Sequence, residues 1–374
     1  MFFIYASLII ALACSVITER TLVGYGNHHW TVKLGVFIIF LSAWLAPLTL
    51  GFARRHGWFG DEMYSRFDRI GYMCFGFAFI LFVLLFLRDG FWFAGYRIFG
   101  KSPAWNPTDV IILGRANIVT VIIAILLTVY AWFQATAQPK VRELELKAGV
   151  PQSVRIVQIN DLHLNRSKPL VQTRGVIELA NSLNPDIIVL PGDIIDDSLG
   201  YLAPHLEELS KLKAKYGVYF SAGNHEYYNG FVPSVWQMEQ MGFNVLSENG
   251  QKIEGLGIYI AGISDNPAAR DRKEYPKILT GSKPGDYKIL LAHNPRLAKE
   301  YLNLGFDLQL SAHTHGGQIF PFHILVKIFN RYLSGKYDID GKTLYISNGA
   351  GYWGPPLRLF APSDISLITL TPKI

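Results

Sequence analysis

Cysteine is almost absent from this chain of 374 residues: there are two, Cys14 and Cys74, and each lies within a long apolar run. Two such cysteines exclude a disulfide framework and give no information about the redox compartment. Charged residues are also scarce, at 17% of the sequence, whereas 50% of it is hydrophobic. The composition is therefore too apolar for an ordinary soluble enzyme.

The excess of apolar residues is concentrated in the first 133 residues. Four runs there contain no Asp, Glu, Lys or Arg: Phe2–Ile17, Leu34–Leu50, Ile70–Leu87 and Ala116–Phe133. At about 1.5 Å per residue, each nearly crosses a hydrocarbon core of about 30 Å. Buried helices of a soluble domain are the alternative, but these runs have no polar face for water. They predict four transmembrane helices.

The first run is either a retained helix or a cleaved signal peptide. Its leading residues, Met1–Ile4, carry no Lys or Arg, and Ala11–Cys14 resembles a lipoprotein cleavage site only loosely. We therefore expect a retained helix.

Loop charge predicts the orientation of a multi-pass protein in the cell membrane. One side would carry seven Lys and Arg residues, namely Arg54, Arg55, Arg66, Arg69, Lys140, Arg142 and Lys147. The other side would carry six, namely Arg20, Lys33, Arg88, Arg97, Lys101 and Arg115. Since cytoplasmic loops are enriched in Lys and Arg, the C-terminal part is expected in the cytoplasm.

A change of composition marks the predicted domain boundary. Ala135–Pro139 is typical of a short linker, and Val141–Lys147 alternates like a strand. We expect a four-helix region over residues 1–137 and a second domain over 138–374. The second domain carries 25 Lys and Arg against 23 Asp and Glu, without a basic stripe, so no nucleic acid partner is expected.

Beyond the boundary, strand-like runs alternate with helical ones, which is typical of a layered α/β domain with partly parallel sheets. The predicted helices are Val171–Leu183, Leu202–Tyr216 and Pro233–Met241. The predicted strands are Val154–Asn160, Ile187–Leu190, Val218–Ala222, Gly257–Ile263, Ile289–Ala292, Phe306–Leu310, Leu344–Ser347 and Ile365–Leu370.

Five of these strands end in residues of the kinds that bind metals. In chain order they lead into Asp161-Leu162-His163, Gly192-Asp193, Gly223-Asn224-His225-Glu226, His293 and His313-Thr314-His315. A single His-x-His is weak evidence of ligation, because most such pairs are solvated. However, α/β sheets place ligands beyond the carboxyl ends of their strands, so five such loops can converge on one site.

This series resembles the D-x-H, GD, GNH, H and GH-x-H motifs of the calcineurin-like metallophosphoesterase family, over roughly Val141–Ile374. One residue departs from the pattern: Ala312 stands where the family usually has Gly. The resemblance implies two packed mixed β-sheets flanked by helices. It also implies hydrolysis of a phosphodiester or pyrophosphate bond by a hydroxide that bridges two metals.

Residue by residue, the resemblance implies one divalent ion on Asp161, His163 and His315 and a second on Asn224, His293 and His313, with Asp193 bridging them. Mn²⁺ is the expected metal, and Fe, Zn or Mg are alternatives because all accept nitrogen and oxygen ligands. His225 is the expected general acid and stabiliser of phosphate oxygens.

Four further residues are weaker candidates. Asp196 either orients a ligand imidazole or is a solvated turn residue, and Glu226 either supports the Gly223–Glu226 loop in the same way or is an ordinary loop residue. Gly316 and Gly317 are expected to let the backbone pass close to the metals and phosphate. After them, residues 319–332 are apolar with a few basic side chains. That segment either lines the cleft and enters the lipid headgroup region or packs on its own domain, and Trp353 either contacts substrate or fills the core.

A four-helix anchor beside a dinuclear site favours a phosphate-containing, lipid-linked substrate, with membrane lipids as partners. Some membrane-associated bacterial members of the family are similar to UDP-2,3-diacylglucosamine pyrophosphatases, which makes that substrate one candidate. The alternative is a transporter or receptor whose phosphoesterase domain binds a regulatory ligand. Because the four runs hold no charged residue, an anchored enzyme is the favoured interpretation. The oligomeric state is left open.

Overall fold

The computed structural model describes residues 2–24, 26, 28–99, 109–268 and 277–373. Lys101, which entered the comparison of loop charges, lies outside these ranges. The chain divides into two compact units. The first comprises Met1–Phe133 with Gly354–Leu357, and the second comprises Gln134–Trp353 with Arg358–Ile374.

The first unit is helical, and four of its helices are long and apolar enough to cross a membrane. They are α1 (Phe2–Glu19, continued by a π-helical turn over Arg20–Gly24), α2 (Trp30–His56), α3 (Asp61–Phe99) and α4 (Val110–Thr136). Each predicted apolar run lies within one of them. The helices are longer than the runs because charged flanks, such as those at the start of α3, continue the helix. With 39 residues, α3 is about 60 Å long, twice the hydrocarbon thickness of about 30 Å.

Aromatic packing joins two of these helices. The ring of Trp44 in α2 meets Phe75 edge-on at 5.5 Å and Phe82 at 5.9 Å between centroids, both from α3. Edge-to-face contacts of this kind contribute roughly 0.5–1.5 kcal/mol beyond the area they bury.

The second unit contains two six-stranded mixed sheets. The first has the order β1-β12-β2-β3-β4-β5, and the second has the order β10-β11-β9-β8-β7-β6. The strands are β1 (Lys140–Ala148), β2 (Val154–Gln158), β3 (Ile187–Leu190), β4 (Val218–Phe220), β5 (Asn244–Val245), β6 (Asn249–Ile253), β7 (Ile258–Ile263), β8 (Tyr287–Ala292), β9 (Leu308–Ser311), β10 (Gly335–Ile339), β11 (Lys342–Ile346) and β12 (Asp364–Pro372).

The described part of the second unit also contains the helices α5 (Leu170–Ser182), α6 (Leu199–Leu209), α7 (Asn224–Asn229), α8 (Phe231–Gln240), α9 (Ala298–Leu302) and α10 (His323–Asn330). Some of these helices cover the outer faces of the sheets. Ile177 of α5 and Leu202 of α6 pack on the outer side of the first sheet, and Ala298 and Tyr301 of α9 pack on the second. The predicted pair of packed mixed sheets flanked by helices is confirmed.

The core between the sheets explains why the strands read as continuous apolar runs. Ile156 and Val189 of the first sheet share one cluster with Ile260, Leu291 and Leu310 of the second. Other residues of the same strands, such as Ile188 and Leu290, face the helices instead. Because both faces are covered, every position of β3 is buried, as is usual for parallel strands.

The sequence analysis misplaced both ends of α6, which begins at Leu199 and not at the predicted Leu202, and it missed several short elements. Helix α6 ends at Leu209, seven residues before the predicted end at Tyr216. Beyond it Leu212 is still buried in the core, so the apolar pattern continues although the helix has stopped. The short elements β5, β6, β10, α7 and α9 were not predicted, because so few residues show no clear periodicity.

Gly192 lies where the loop after β3 passes two other loops. Its φ is +90°, and a Cβ there would overlap the backbone nitrogen of Gly223 and lie 2.8 Å from His293 Nδ1. A side chain is thus disfavoured both by backbone conformation and by space.

We expect Gly192→Ala to lower the free energy of unfolding by about 1–3 kcal/mol or more, through left-handed backbone strain and overlap. Chemical unfolding of the full-length protein measures the effect. Gly175→Ala is the matched control, since Gly175 lies within α5 with nothing near its added methyl group, and helix propensity should make it neutral or stabilising by up to about 1 kcal/mol. Equal stabilities for the two variants would contradict the interpretation.

Candidate metal centre

Six of the seven side chains predicted as ligands, together with His225, are brought close to one another from five loops. The loops follow β2, β3 and β4, which are parallel neighbours in the first sheet, and β8 and β9, which are parallel neighbours in the second. Parallel neighbours end on the same edge of a sheet, so each set of loops lies side by side. Backbone hydrogen bonds from Asp161 and His163 to the carbonyls of Gly192 and Asp193 join the first two loops.

One group consists of Asp161, His163 and His315, whose ligand atoms all lie within 4.8 Å of one another. His163 Nε2 and His315 Nε2 are 3.0 Å apart, and His315 Nε2 is 3.9 Å from Asp161 Oδ1. All three residues are buried.

A second group consists of Asp193, His293 and His313. His293 Nε2 lies 3.0 Å from Asp193 Oδ2 and 3.2 Å from His313 Nδ1. The same Asp193 oxygen is 3.8 Å from His163 Nε2 of the first group. Asp193 therefore lies between the two groups.

The donor atoms suit divalent metal ions. Carboxylate, imidazole and amide oxygen donors are accepted by divalent first-row metals. In each group two imidazole nitrogens point at a shared space. Asn224, expected in the second set, has a buried Oδ1 that finds no hydrogen-bond partner among the described residues, and a buried acceptor of this kind normally has one.

Five of the seven residues predicted as metal ligands have an unusual backbone conformation. Asp161, His163, Asp193, His313 and His315 have φ between 46° and 72°, the left-handed region that residues other than glycine rarely adopt. Each such residue costs of the order of 1 kcal/mol or more, and such strain concentrates at functional sites. Ala312, the departure from the family pattern, is not among the positive-φ residues, so its methyl group imposes no backbone strain.

Burial favours the neutral form of two histidines. It lowers the pKa of His163 to about 4 and that of His315 well below its usual range. Neutral imidazole is the form that binds metal ions. Burial also acts to raise the pKa of Asp193, but the neighbouring His293 outweighs it and holds that pKa well below its usual value.

The pKa of His225 is shifted in the opposite direction, upward. Burial acts to lower its pKa, but the Asp196 carboxylate, whose Oδ1 lies 2.7 Å from His225 Nδ1, raises it to about 9. The His225 ring lies 4.5 Å from the His163 ring between centroids. A pKa of about 9 favours the protonated imidazole of His225 at neutral pH, beside the first group of candidate ligand residues.

Glu226 links two of the loops. Its carboxylate accepts hydrogen bonds from the backbone N–H groups of Asp193, Ile194 and Ile195 and from that of Gly223, at 2.7–3.0 Å. Burial raises its pKa to about 7, and these donors act in the opposite direction. The side chain thus holds the loop after β3 against the loop after β4.

Gly316 and Gly317 have φ of 60° and 82°. A Cβ on Gly316 would lie 2.5 Å from Asn348 Oδ1, and one on Gly317 would overlap His323 at the start of α10. Both glycines are needed for close packing of neighbouring residues. The expected approach to phosphate stays a prediction.

The sequence pattern of the calcineurin-like phosphoesterases matches residues 154–317, which include all five loops. An uncharacterised metallophosphoesterase of Campylobacter jejuni is 37% identical over 64% of this chain and 65% of that relative, slightly less than two thirds of its length. One from Aquifex aeolicus is 33% identical over 67% of this chain and 98% of the relative. A transmembrane protein with a metallophosphoesterase domain from Danio rerio is 32% identical over 80% of this chain and 73% of the relative.

This chain belongs to the calcineurin-like phosphoesterase family. Membership implies a phosphoester hydrolase that binds divalent metals, in agreement with the clustered candidate ligand residues. The four candidate membrane-spanning helices and the transmembrane relative indicate a membrane protein.

The sequence did not reveal one residue of this metallophosphoesterase domain, Arg358. Its side chain is fully buried and lies 3.2 Å from His315 Nδ1. It donates hydrogen bonds to backbone carbonyls of His315, Asn348, Gly349, Gly351 and Ala361. Three segments are thereby joined behind the His315 loop. An arginine between two leucines resembles an exposed strand position, so the sequence carried no signal for it.

Arg358→Met should lower the free energy of unfolding of the metallophosphoesterase by about 3 kcal/mol or more, because several buried carbonyls lose their donors at roughly 1–3 kcal/mol each. Chemical unfolding measures this loss. Arg174→Met is the control: Arg174 is half exposed and pairs with Glu208, so a change below about 1 kcal/mol is expected. A comparably small effect at Arg358 would refute its bridging role.

Proposed function

We propose that this protein is a membrane-anchored phosphoesterase that uses two divalent metal ions to hydrolyse a phosphodiester or pyrophosphate bond in a lipid-linked substrate. The observation that carries the proposal is the position of Asp193 Oδ2, 3.0 Å from His293 of one ligand group and 3.8 Å from His163 of the other. A carboxylate so placed suits a bridge between two ions.

When bound, two ions supply Lewis acidity and lower the pKa of a water molecule, and thus provide the nucleophile. Asp161, His163 and His315 would hold one ion, and Asn224, His293 and His313 the other, with Asp193 shared. Mn²⁺ is our first choice, and Fe, Zn or Mg suit the same donors.

His225 supplies the proton in this proposal. Its Nδ1 is engaged by Asp196, so Nε2 is the nitrogen available to substrate. A protonated imidazole there stabilises a phosphate oxygen and gives its proton to the departing oxygen. The backbone N–H of His225 donates to Asp193 Oδ1 at 2.9 Å, which ties the acid to the proposed bridging carboxylate.

A lipid-linked substrate is supported by the four candidate spans of the same chain. A pyrophosphate-linked glycolipid such as UDP-2,3-diacylglucosamine, a polyprenyl pyrophosphate and a phospholipid all present the required bond. The excess of Lys and Arg on one set of loops favours a multi-pass arrangement in the cell membrane with the catalytic domain in the cytoplasm.

The first test uses purified full-length protein stripped of metal and reloaded with Mn²⁺. Turnover is measured on bis-p-nitrophenyl phosphate and on a panel of lipid pyrophosphates. We expect metal-dependent hydrolysis, a loss of about 10²–10⁴-fold in His225→Ala through loss of the general acid, and a comparable or larger loss in Asp193→Asn. His56→Ala is the control, because His56 lies exposed at the end of α2.

Undiminished activity in both His225→Ala and Asp193→Asn would refute the assignment. Metal binding without turnover on any substrate would instead favour a regulatory ligand-binding domain. Activity confined to one lipid would identify the substrate.

A second prediction concerns pH. Asp196 raises the pKa of His225, so activity that needs protonated His225 should fall as pH rises through about 9. Burial is the largest influence on the pKa of His225 and lowers it, and Asp196 is the strongest influence that raises it. Removal of that charge in Asp196→Asn should therefore lower the pKa of His225 and move the basic limb of the kcat/KM profile to lower pH. Asp197→Asn is the control, because Asp197 pairs with Arg166. An unmoved basic limb in Asp196→Asn would show that this carboxylate does not set the protonation of His225.

A further inference from the structure

Seven large apolar side chains lie exposed together on the second unit, and we call them the apolar surface. They are Phe320, Phe322, Ile324, Leu325, Ile328, Phe329 and Phe360, with exposed fractions from 40% at Phe320 to 71% at Phe329. An exposed apolar patch of this kind marks an interaction site on a protein.

Helix α10 presents its apolar face outward. Ile324, Leu325, Ile328 and Phe329, which lie on one side of the helix by their spacing, are exposed. No residue of α10 is buried, and its half-buried positions are His323, Val326 and Asn330. A helix of a soluble domain has the reverse arrangement, with its apolar side toward the core. Packing of the domain therefore does not explain this sequence.

The apolar surface is held in place close to the metal centre. Gly317, two residues after His315, packs so tightly on His323 that a Cβ would not fit. The N–H of Phe320 donates to the carbonyl of Leu359 at 3.2 Å, and the rings of Phe320 and Phe360 are 5.8 Å apart. These contacts join α10 to the loop that carries His315.

Charge indicates what covers this surface. The segment from Ile319 to Tyr332 contains Lys327 and Arg331 but no Asp or Glu. Both cations are exposed, and Glu300 of α9 lies 3.9 Å from Arg331. Exposed aliphatic and aromatic side chains bordered by basic ones are typical of helices that lie in a membrane interface. The same chain carries four candidate membrane spans, which would keep the domain near a bilayer.

We propose that the apolar surface inserts into the interfacial region of the lipid bilayer, with Lys327 and Arg331 at the level of the lipid phosphates. Long basic side chains reach the headgroups while their stems lie along apolar surface. The proposed docking does not depend on the proposed catalysis. One consequence of docking rests on the phosphoesterase function: the His315 loop would then face substrate that arrives from the membrane and not from bulk water.

The test places a nitroxide on the surface of the full-length protein. In a background with Cys14→Ser and Cys74→Ser, Ile328→Cys is spin-labelled, and the protein is reconstituted in nanodiscs of phosphatidylcholine and phosphatidylglycerol, one copy per disc. Power-saturation EPR compares collisions with O₂, which partitions into lipid, and with a nickel chelate, which stays in water. Val171→Cys is the matched control, an exposed aliphatic position on α5.

We expect the label at position 328 to collide more with O₂ than with the nickel chelate and the label at position 171 to show the reverse. A water-accessible label at 328 would overturn the proposal. So would a label that neither reagent reaches, since the surface would then be covered by protein. Because EPR accessibility requires no turnover, an inactive enzyme with a lipid-embedded label would refute only the proposed function.

Discussion

The carboxylate of Asp193 lies where a loop from one sheet of the second unit contacts a loop from the other sheet. It lies at the end of β3 in the first sheet, yet its nearest imidazole, that of His293, comes from β8 in the second. Strand packing between the sheets must therefore position two independent sets of loops to within about an ångström. The apolar core shared by Val189 and Leu291, near the ends of those strands, provides that alignment.

Holding the loops in place has a conformational cost. Five residues of the candidate site occupy left-handed backbone, and the loops would relax without support. Support comes from buried charges that bind backbone: Glu226 receives N–H groups of the loop after β3, and Arg358 donates to carbonyls behind the His315 loop. A buried charge is stable only when it is well paired, so these two side chains and the strained loops stabilise one another.

Electrostatics divides the histidines by role. Burial and neighbouring imidazoles lower the pKa of His163 and of His315, which favours their neutral form, whereas Asp196 raises the pKa of His225. Asp196 lies near two of these histidines, but its carboxylate is 2.7 Å from His225 Nδ1 and 3.5 Å from His163 Nδ1. The outward apolar face of α10 shows a similar dependence on context, because the same residues would be ordinary core if they pointed inward.

Much of the fold was evident from local patterns. Four uncharged runs predicted the four long helices, since length and hydropathy are properties of a segment alone. The strand β3 was predicted to the residue, because burial on both faces leaves a continuous apolar run. Short elements such as β5 and α7 escaped prediction, since tertiary contacts and not local periodicity define them.

The sequence by itself determined the chemical inventory: five strand ends carrying Asp, Asn and His, and an apolar anchor. Only the tertiary structure decided that Asp193 lies between two groups of ligands, that Asp196 pairs with His225, and that Arg358 reaches His315 across 43 positions of the chain. The physical reason is that distances and pKa values depend on neighbours brought together by folding. The outward orientation of α10 was likewise invisible in a sequence whose apolar face fits a core as well as a membrane.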